Sequence, residues 1–268
     1  MSEIRRKIGE VRDMIDIHCH ILPGVDDGAQ TMEDSIIMAE EALDQGIDTI
    51  IATPHHLNGK YENPRLSILH KVLELNEALQ QAGIEVTILP GQEIRINGDM
   101  ITGLEQEEIL PLNVDSTYVF VELPSDQVPQ YTKQMLFDIQ RAGYKPIIVH
   151  PERNKKLIED PDLLYHFVKG GAYTQVTAGS VAGKFGKNIQ KFTHQLIQAN
   201  QAHLIASDAH NTAGRSFFMK EAHQEIRKKY GSSSNYYFME NAYYVTQGEV
   251  LAAEPPERIK QKKFLGLF

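Results

Sequence analysis

A single cysteine, Cys19, stands in a chain of 268 residues. No intrachain disulfide framework can be built from it, and so sparse a thiol content fits a reducing compartment. Long apolar runs are also missing. Nothing approaches the ~20 apolar residues of a membrane span, and the first residues, MSEIRRKIGEVRD, are too charged for a signal peptide, so the expected location is the cytoplasm. Basic excess is the third absence. With 27 basic against 36 acidic residues the net charge is −9, which argues against a nucleic-acid backbone as the main partner.

What remains is an ordinary globular composition, 41% hydrophobic and 24% charged, enough to bury a large core in one domain. The chain is organised around Met14 to Asp27, MIDIHCHILPGVDD. A short apolar run reads as a buried strand and delivers His18 and His20 on one side of it, with Asp26 and Asp27 close behind. Two imidazoles aimed at one point form part of a coordination shell that carboxylates would complete. Residues 1–13, with only Ile4, Ile8 and Val11 as spaced apolar positions, read as a short helix or loose arm outside the domain.

Downstream, Thr31 with Asp34 resembles a capping box, and a helical pattern runs until Gly46. A strand, Ile47 to Ala52, follows. The same sequence of helix, Gly or Asn stop and apolar run recurs in EALDQGIDTIIAT, ALQQAGIEVTILP, DIQRAGYKPIIVH, HFVKGGAYTQVTA and IQANQAHLIASDAH. With MIDIHCH and Tyr118–Glu122 these give seven candidate strands, nearly all separated by helices. That is an α/β chain with parallel strands, either an open doubly wound sheet or a closed barrel. Asp99 to Glu107 reads as a short helix. From Glu249 to Phe268, broken at Pro255–Pro256 and ending RIKQKKFLGLF, the chain reads as an extended tail that either packs on its own domain or touches a membrane surface or a partner.

Metal-ligand residue types sit at the C-terminal end of six of the seven strands: His18 and His20, His55 and His56, Glu93, Glu122, His150, and Asp208 with His210. Only YTQVTAG lacks one. Any one of these alone would be a satisfied core residue, but four carboxylates and five or six histidines at one end of a core are costly without cations. The mixed imidazole and carboxylate set suits manganese, iron or zinc rather than calcium or magnesium. Three divalent ions would outweigh Asp27, Glu93, Glu122 and Asp208 and leave a positive centre, where an anion should bind. Arg153 in HPERN and Arg215 in HNTAGR fall on loops of the same face, and guanidinium forks match phosphate oxygens.

DIHCHILPGVDDG, IIATPHH, LPGQEIRI, HPERN and ASDAHN together resemble the PHP (polymerase and histidinol phosphatase) superfamily, and within it the manganese-dependent protein-tyrosine phosphatases of the CpsB/CapC capsular and exopolysaccharide family. The resemblance covers roughly Met14 to Val245. It implies a distorted (β/α)7 TIM-like barrel over residues 14–248, flanked by an extension at 1–13 and a tail at 249–268. It also implies a site for three manganese ions, with iron or zinc as alternatives. By position, the first ion would take His18, His20, Glu93 and Asp208, the second Glu93, Glu122 and His150, and the third Asp27, His55 and His210. Arg153 and Arg215 match the family's phosphate-binding arginines.

The expected activity is hydrolysis of protein phosphotyrosine by a metal-activated water, on a bacterial tyrosine autokinase that controls polysaccharide synthesis. Membrane contact is expected only through such a partner or the basic tail. No phosphocysteine step is expected, because the sixth residue after Cys19 is Val25 rather than the arginine of a thiol phosphatase loop. His55 and His56 are the nearest candidates to assist the leaving phenolate. The rival readings are a small-molecule phosphatase such as one for histidinol phosphate, a phosphodiesterase, an amidohydrolase, and a metal-stabilised regulatory protein without turnover.

Overall fold

Strands and helices alternate because apolar β-branched runs are separated by amphipathic segments that end on glycine or a polar stop. The computed structural model describes residues 14–259. The sequence-predicted extension 1–13 and the basic end of the tail, 260–268, lie outside the described residues. The strands are β1 (Met14–Cys19), β2 (Ile47–Ala52), β3 (His55–His56), β4 (Thr87–Pro90), β5 (Glu93–Arg95), β6 (Tyr118–Glu122), β7 (Lys145–Val149), β8 (Tyr173–Thr177) and β9 (Leu204–Ala206). All neighbouring pairs are parallel, in the orders β1-β2-β4 and β3-β5-β6-β7-β8-β9.

These nine segments make seven staves. β2 and β3 are one strand interrupted at Thr53–Pro54, where proline has no N–H to give the ladder. β4 and β5 are one strand interrupted at Gly91–Gln92. Across the breaks Thr53 N–H donates to Cys19 O at 2.9 Å and Glu93 N–H to Pro54 O at 3.0 Å, so the ladder continues. Gly91 is required there, since a Cβ would stand 2.7 Å from Ile51 Cγ2. The barrel closes between β1 and the end of β9: His20 N–H donates to Ala209 O at 2.9 Å and Asp208 N–H to His18 O at 2.8 Å. Along the same seam the buried Asp16 carboxylate accepts the Ser207 N–H at 2.9 Å and the Ser207 hydroxyl. The expectation of an α/β barrel of parallel strands in a single domain therefore holds.

Strand alternation separates two apolar layers. Tyr118, Phe120, Ile147, Val149 and Leu204 fill the interior, while Val119, Val121, Ile148, Val176 and Ile205 pack outward against helices. Full burial of each such side chain contributes roughly 1.5–3 kcal/mol. The first of those helices, Met32–Asp44, starts at the capping box expected from sequence: Asp34 N–H donates to Thr31 Oγ1 and Thr31 N–H to Asp34 Oδ2, at 3.1 and 2.9 Å.

The N-terminal mouth of the barrel is plugged. Helix Ser232–Gln247 packs across it, with Ser116 Oγ donating to Val245 O at 2.8 Å. Residues 249–259 then run as a strap without regular structure. Tyr118 Oη donates to Glu249 O at 2.7 Å and accepts the Leu251 N–H at 3.0 Å, and Glu257 N–H donates to Ala199 O at 2.8 Å. Of the two readings of the tail, the described part takes the one in which it packs on its own domain. No helix among the described residues is long and apolar enough to cross a membrane.

Candidate metal centre

At the opposite, C-terminal mouth the interior faces of the strands carry ionisable groups where the core positions end. On β6, Tyr118, Phe120 and Glu122 share the inward face by the two-residue period, so Glu122 continues the core stack into the mouth. On β1 simple alternation would send His18 away from the interior side of Ile17. The pairing to β2 shifts register between Asp16 and Cys19. That irregularity leaves Ile17 in the inner core, Cys19 in the outer layer, and both histidines at the mouth.

The residues singled out from the sequence converge. Ligand atoms lying within 4.8 Å of one another form four groups: His18, His20 and Asp208; His18, Glu93 and His150; His55, Glu93 and Glu122; and His20, Asp27, His55 and His210. His18 Nε2 is 3.5 Å from Glu93 Oε2 and 3.4 Å from Asp208 Oδ1. Glu93 sits centrally, fully buried, with His150 Nε2 at 2.7 Å from Oε1 and His55 Nδ1 at 2.8 Å from Oε2. Asp27, the most exposed member, lies 3.4 Å from His55 Nε2 and 3.5 Å from His210 Nε2.

Two placements are finer than the sequence expectation. Glu122 and His150 fall in separate groups that meet at Glu93: His150 turns to Glu93, and Arg95 binds both oxygens of Glu122, Nε to Oε2 at 3.0 Å and Nη2 to Oε1 at 2.9 Å. His56 lies outside these groups. Alternation along β3 sends it to the other face, where Nδ1 accepts the Asn63 N–H at 3.1 Å, so it is removed as an assistant to the leaving group.

A layer of residues behind the cluster orients it, and sequence reasoning missed most of these. His18 Nδ1–H donates to Gln175 Oε1 at 2.9 Å, His20 Nδ1–H to Asp26 Oδ2 at 2.7 Å, and His210 Nδ1–H to the Asp208 carbonyl at 2.9 Å. Each ring thereby presents Nε2 to the centre. The β8 strand, which carries no ligand type, contributes Gln175 instead. Asp26 also accepts the Gly28 N–H at 2.9 Å, and Gly28 must be glycine because a Cβ would stand 2.0 Å from His20 O. His150 and Asp208 hold left-handed backbone conformations, φ 35° and 52°, the kind of strain that concentrates at functional sites.

Electrostatics prepare several of these groups as donors. Burial, then Arg153, presses the His150 pKa to about 4, and burial, then His20, does the same at His210. Both rings are neutral at pH 7. Burial alone would raise the carboxyls, yet His55, His18 and His150 hold Glu93 well below its usual range, and Arg153 and His20 do so for Asp208. Glu122 goes the other way, up to about 7, from burial and the neighbouring charge of Glu93.

The arrangement fits cations by its geometry. Buried His55 Nδ1, Glu93 Oε2, Asp208 Oδ1 and His210 Nε2 have no hydrogen-bond partner. His55 Nδ1 and Glu93 Oε2 approach to 2.8 Å without the alignment of a hydrogen bond. Buried polar atoms are as a rule paired; here unpaired imidazole and carboxylate atoms converge on one another, which is the donor set of a divalent transition metal. Beside them lies a cleft of 210 Å³ lined by Glu122, His150, Arg153, Asp208 and Arg215 among others. Arg153 Nη1 is 2.7 Å from Asp208 Oδ2. Arg215 reaches Asp208 Oδ2 at 3.3 Å and Asp27 Oδ2 at 3.5 Å.

Comparison with known proteins agrees with this geometry. Residues 14–247 match the family model for capsular polysaccharide synthesis, CpsB/CapC. The chain is 46% identical to the tyrosine-protein phosphatase YwqE of Bacillus subtilis over 255 residues, 95% of this chain and all of that protein. It is 38% identical to the putative tyrosine-protein phosphatase CapC of Staphylococcus aureus, over 95% of this chain and all of the relative. Among solved structures it superposes with a TM-score of 0.90 and 46% identity on a chain from the crystal structures of YwqE from Bacillus subtilis and CpsB from Streptococcus pneumoniae, metal-dependent tyrosine phosphatases, covering 92% of this chain and all of that one.

Proposed function

The chain belongs to the CpsB/CapC capsular polysaccharide synthesis family, and on that premise we propose that it is a metal-dependent protein-tyrosine phosphatase. The observation that carries this reading is the meeting of unpaired buried ligand atoms with two arginines beside one cleft. His18, His20, Glu93 and Asp208 would hold one cation, Glu93, Glu122 and His150 a second, and Asp27, His55 and His210 a third, with manganese as the metal and iron or zinc as alternatives. When bound, such cations offset the carboxylate charge and supply a nucleophile at neutral pH.

The chain's own residues do the rest. Arg153 and Arg215 now rest on Asp208 and Asp27. Phosphate oxygens entering the cleft offer the same guanidinium hydrogens a more highly charged partner, so the ester is held with its phosphorus toward the histidine rings. His55, at the edge of the cleft with Nε2 toward Asp27, would serve the third cation, and the departing phenolate, a fairly good leaving group, would need no proton from that ring. Gln175 and Asp26 keep the imidazoles in one tautomer throughout. The substrate is proposed to be a phosphotyrosine protein, with a tyrosine autokinase of polysaccharide synthesis as the partner and the cytoplasm as the location.

The test uses a phosphotyrosyl peptide and histidinol phosphate side by side, with and without chelator. Hydrolysis of the peptide that vanishes on chelation and returns with manganese is the expected result. Full activity in chelated protein overturns the metal reading, and faster turnover of histidinol phosphate overturns the substrate.

A further inference from the structure

Among the described residues, Glu122 is the one carboxylate at the C-terminal mouth gripped at both oxygens by one arginine, and that arginine does not line the cleft. The pairing is written into the sheet. Arg95 follows Glu93 by two residues, so both leave β5 on the same face. The parallel register then sets Arg95 directly opposite Glu122, with Glu93 opposite Phe120 one step below. Ile96 N–H donates to Glu122 O at 2.9 Å, which locks this register at the strand ends. The Arg95 side chain is three-quarters buried, 24% exposed. A fork of this kind fixes the plane of the carboxylate as well as its position.

Arg95 therefore differs from Arg153 and Arg215. Those two line the cleft and are free to exchange a carboxylate for phosphate oxygens. Arg95 stands behind Glu122, with Nη2 on Oε1 and Nε on Oε2, and Oε2 is also the oxygen 3.8 Å from His55 Nδ1. Without the fork the glutamate is a flexible side chain beside the negative charge of Glu93, and it would turn outward toward water.

We propose that Arg95 is a positioning residue: it holds the Glu122 carboxylate so that the Oε2 edge alone faces Glu93 and His55, and thereby sets the affinity of the cation site that Glu122 completes. The inference rests on the metal-dependent reading above and goes beyond it by assigning a residue outside the ligand set to one of the sites.

Isothermal titration of metal-free protein with manganese, together with metal content after dialysis, tests this without recourse to turnover. In Arg95→Ala one class of site should weaken by about 10–100-fold, while the remaining sites titrate as in the unsubstituted protein. Arg95→Lys, which keeps the charge and one donor, should fall between the two and serves if the alanine variant does not fold. In a Glu122→Gln background the Arg95 substitution should add nothing. At saturating manganese the KM for a phosphotyrosyl peptide should be close to that of the unsubstituted protein. Superimposable titrations for all Arg95 variants overturn the proposal, as does a raised KM with unchanged metal binding, which would make Arg95 a substrate residue. A protein that takes up no divalent cation even without substitution would instead remove the metal-dependent reading itself.

Discussion

Both mouths of the barrel bury histidines, yet the rings end on different kinds of partner. At the N-terminal mouth His203 is 2% exposed, and its Nδ1 accepts the Thr174 N–H at 3.1 Å. Nearby, Asn241 donates to His203 O and Ala252 O, and Tyr118 Oη is bonded twice by the strap. These groups terminate on backbone, so their burial is compensated. At the C-terminal mouth His55, His210, Glu93 and Asp208 each keep a buried atom with no hydrogen bond, and their neighbours are each other. The difference teaches how to read a buried histidine: whether an unpaired ring nitrogen converges with other unpaired ligand atoms matters more than how deep the ring lies. One end of the fold is built for stability, and the other stores electrostatic cost for use.

The largest effect that could break this contrast is at Glu93. Glu93→Gln keeps the shape but removes the charge shared by His18, His20, His55 and His150, and kcat/KM on a phosphotyrosyl peptide should fall on the order of 10³-fold. Thermal unfolding of the chelated variant should come at a lower temperature than that of chelated unsubstituted protein, because the histidines that hold the Glu93 carboxyl well below its usual range lose their buried partner, so the rates are compared well below both midpoints. A variant that unfolds while retaining specific activity would make Glu93 a structural residue like those below it. The next effect in size is at Arg215, about one-third exposed and joined to Asp27 and Asp208. Arg215→Ala should lower kcat/KM by about 10²-fold. Unchanged kinetics on a phosphotyrosyl peptide would take it out of the site.

The sequence made the top of this contrast legible and left most of its support hidden. Ligand types at strand ends are visible because strand ends are marked by apolar runs and glycine stops, and a parallel barrel gathers such ends on one face. His55 and His56 could be told apart only by the phase of a two-residue strand following a break at Pro54. Gln175 looks like any polar residue within a strand, and Arg95 like a charge on a strand surface. Each acquires a role only from its partner across space, Gln175 from His18 and Arg95 from the register with Glu122. The spacing Glu93-Ile94-Arg95 was the one available hint. The tail's packing on its own domain was one of the readings of the sequence, but its partners were hidden for a related reason: residues 249–259 follow no period and are held by scattered bonds to Tyr118, Asn200, Gln201 and Asn241.

The smallest effect lies at the N-terminal mouth and concerns stability rather than rate. Burial presses the His203 pKa down to about 4, against about 6.5 in an unfolded chain. The folded ring is thus neutral where the unfolded one begins to take a proton, so the unfolded state binds more protons between those values and stability falls as pH drops through them. The contribution is fully present above pH ~6.5, and by pH 5 about 2 kcal/mol of it should be gone. Urea unfolding of chelated protein at pH 7.5 and 5, compared with His203→Gln, isolates this share, because the titrating groups of the other mouth are common to both proteins. The glutamine variant should lose less stability over that interval and keep its rate at pH 7.5 with manganese restored. Equal losses would mean that His203 exchanges protons with solvent in the folded state, and the N-terminal mouth would then be less sealed than its hydrogen bonds imply.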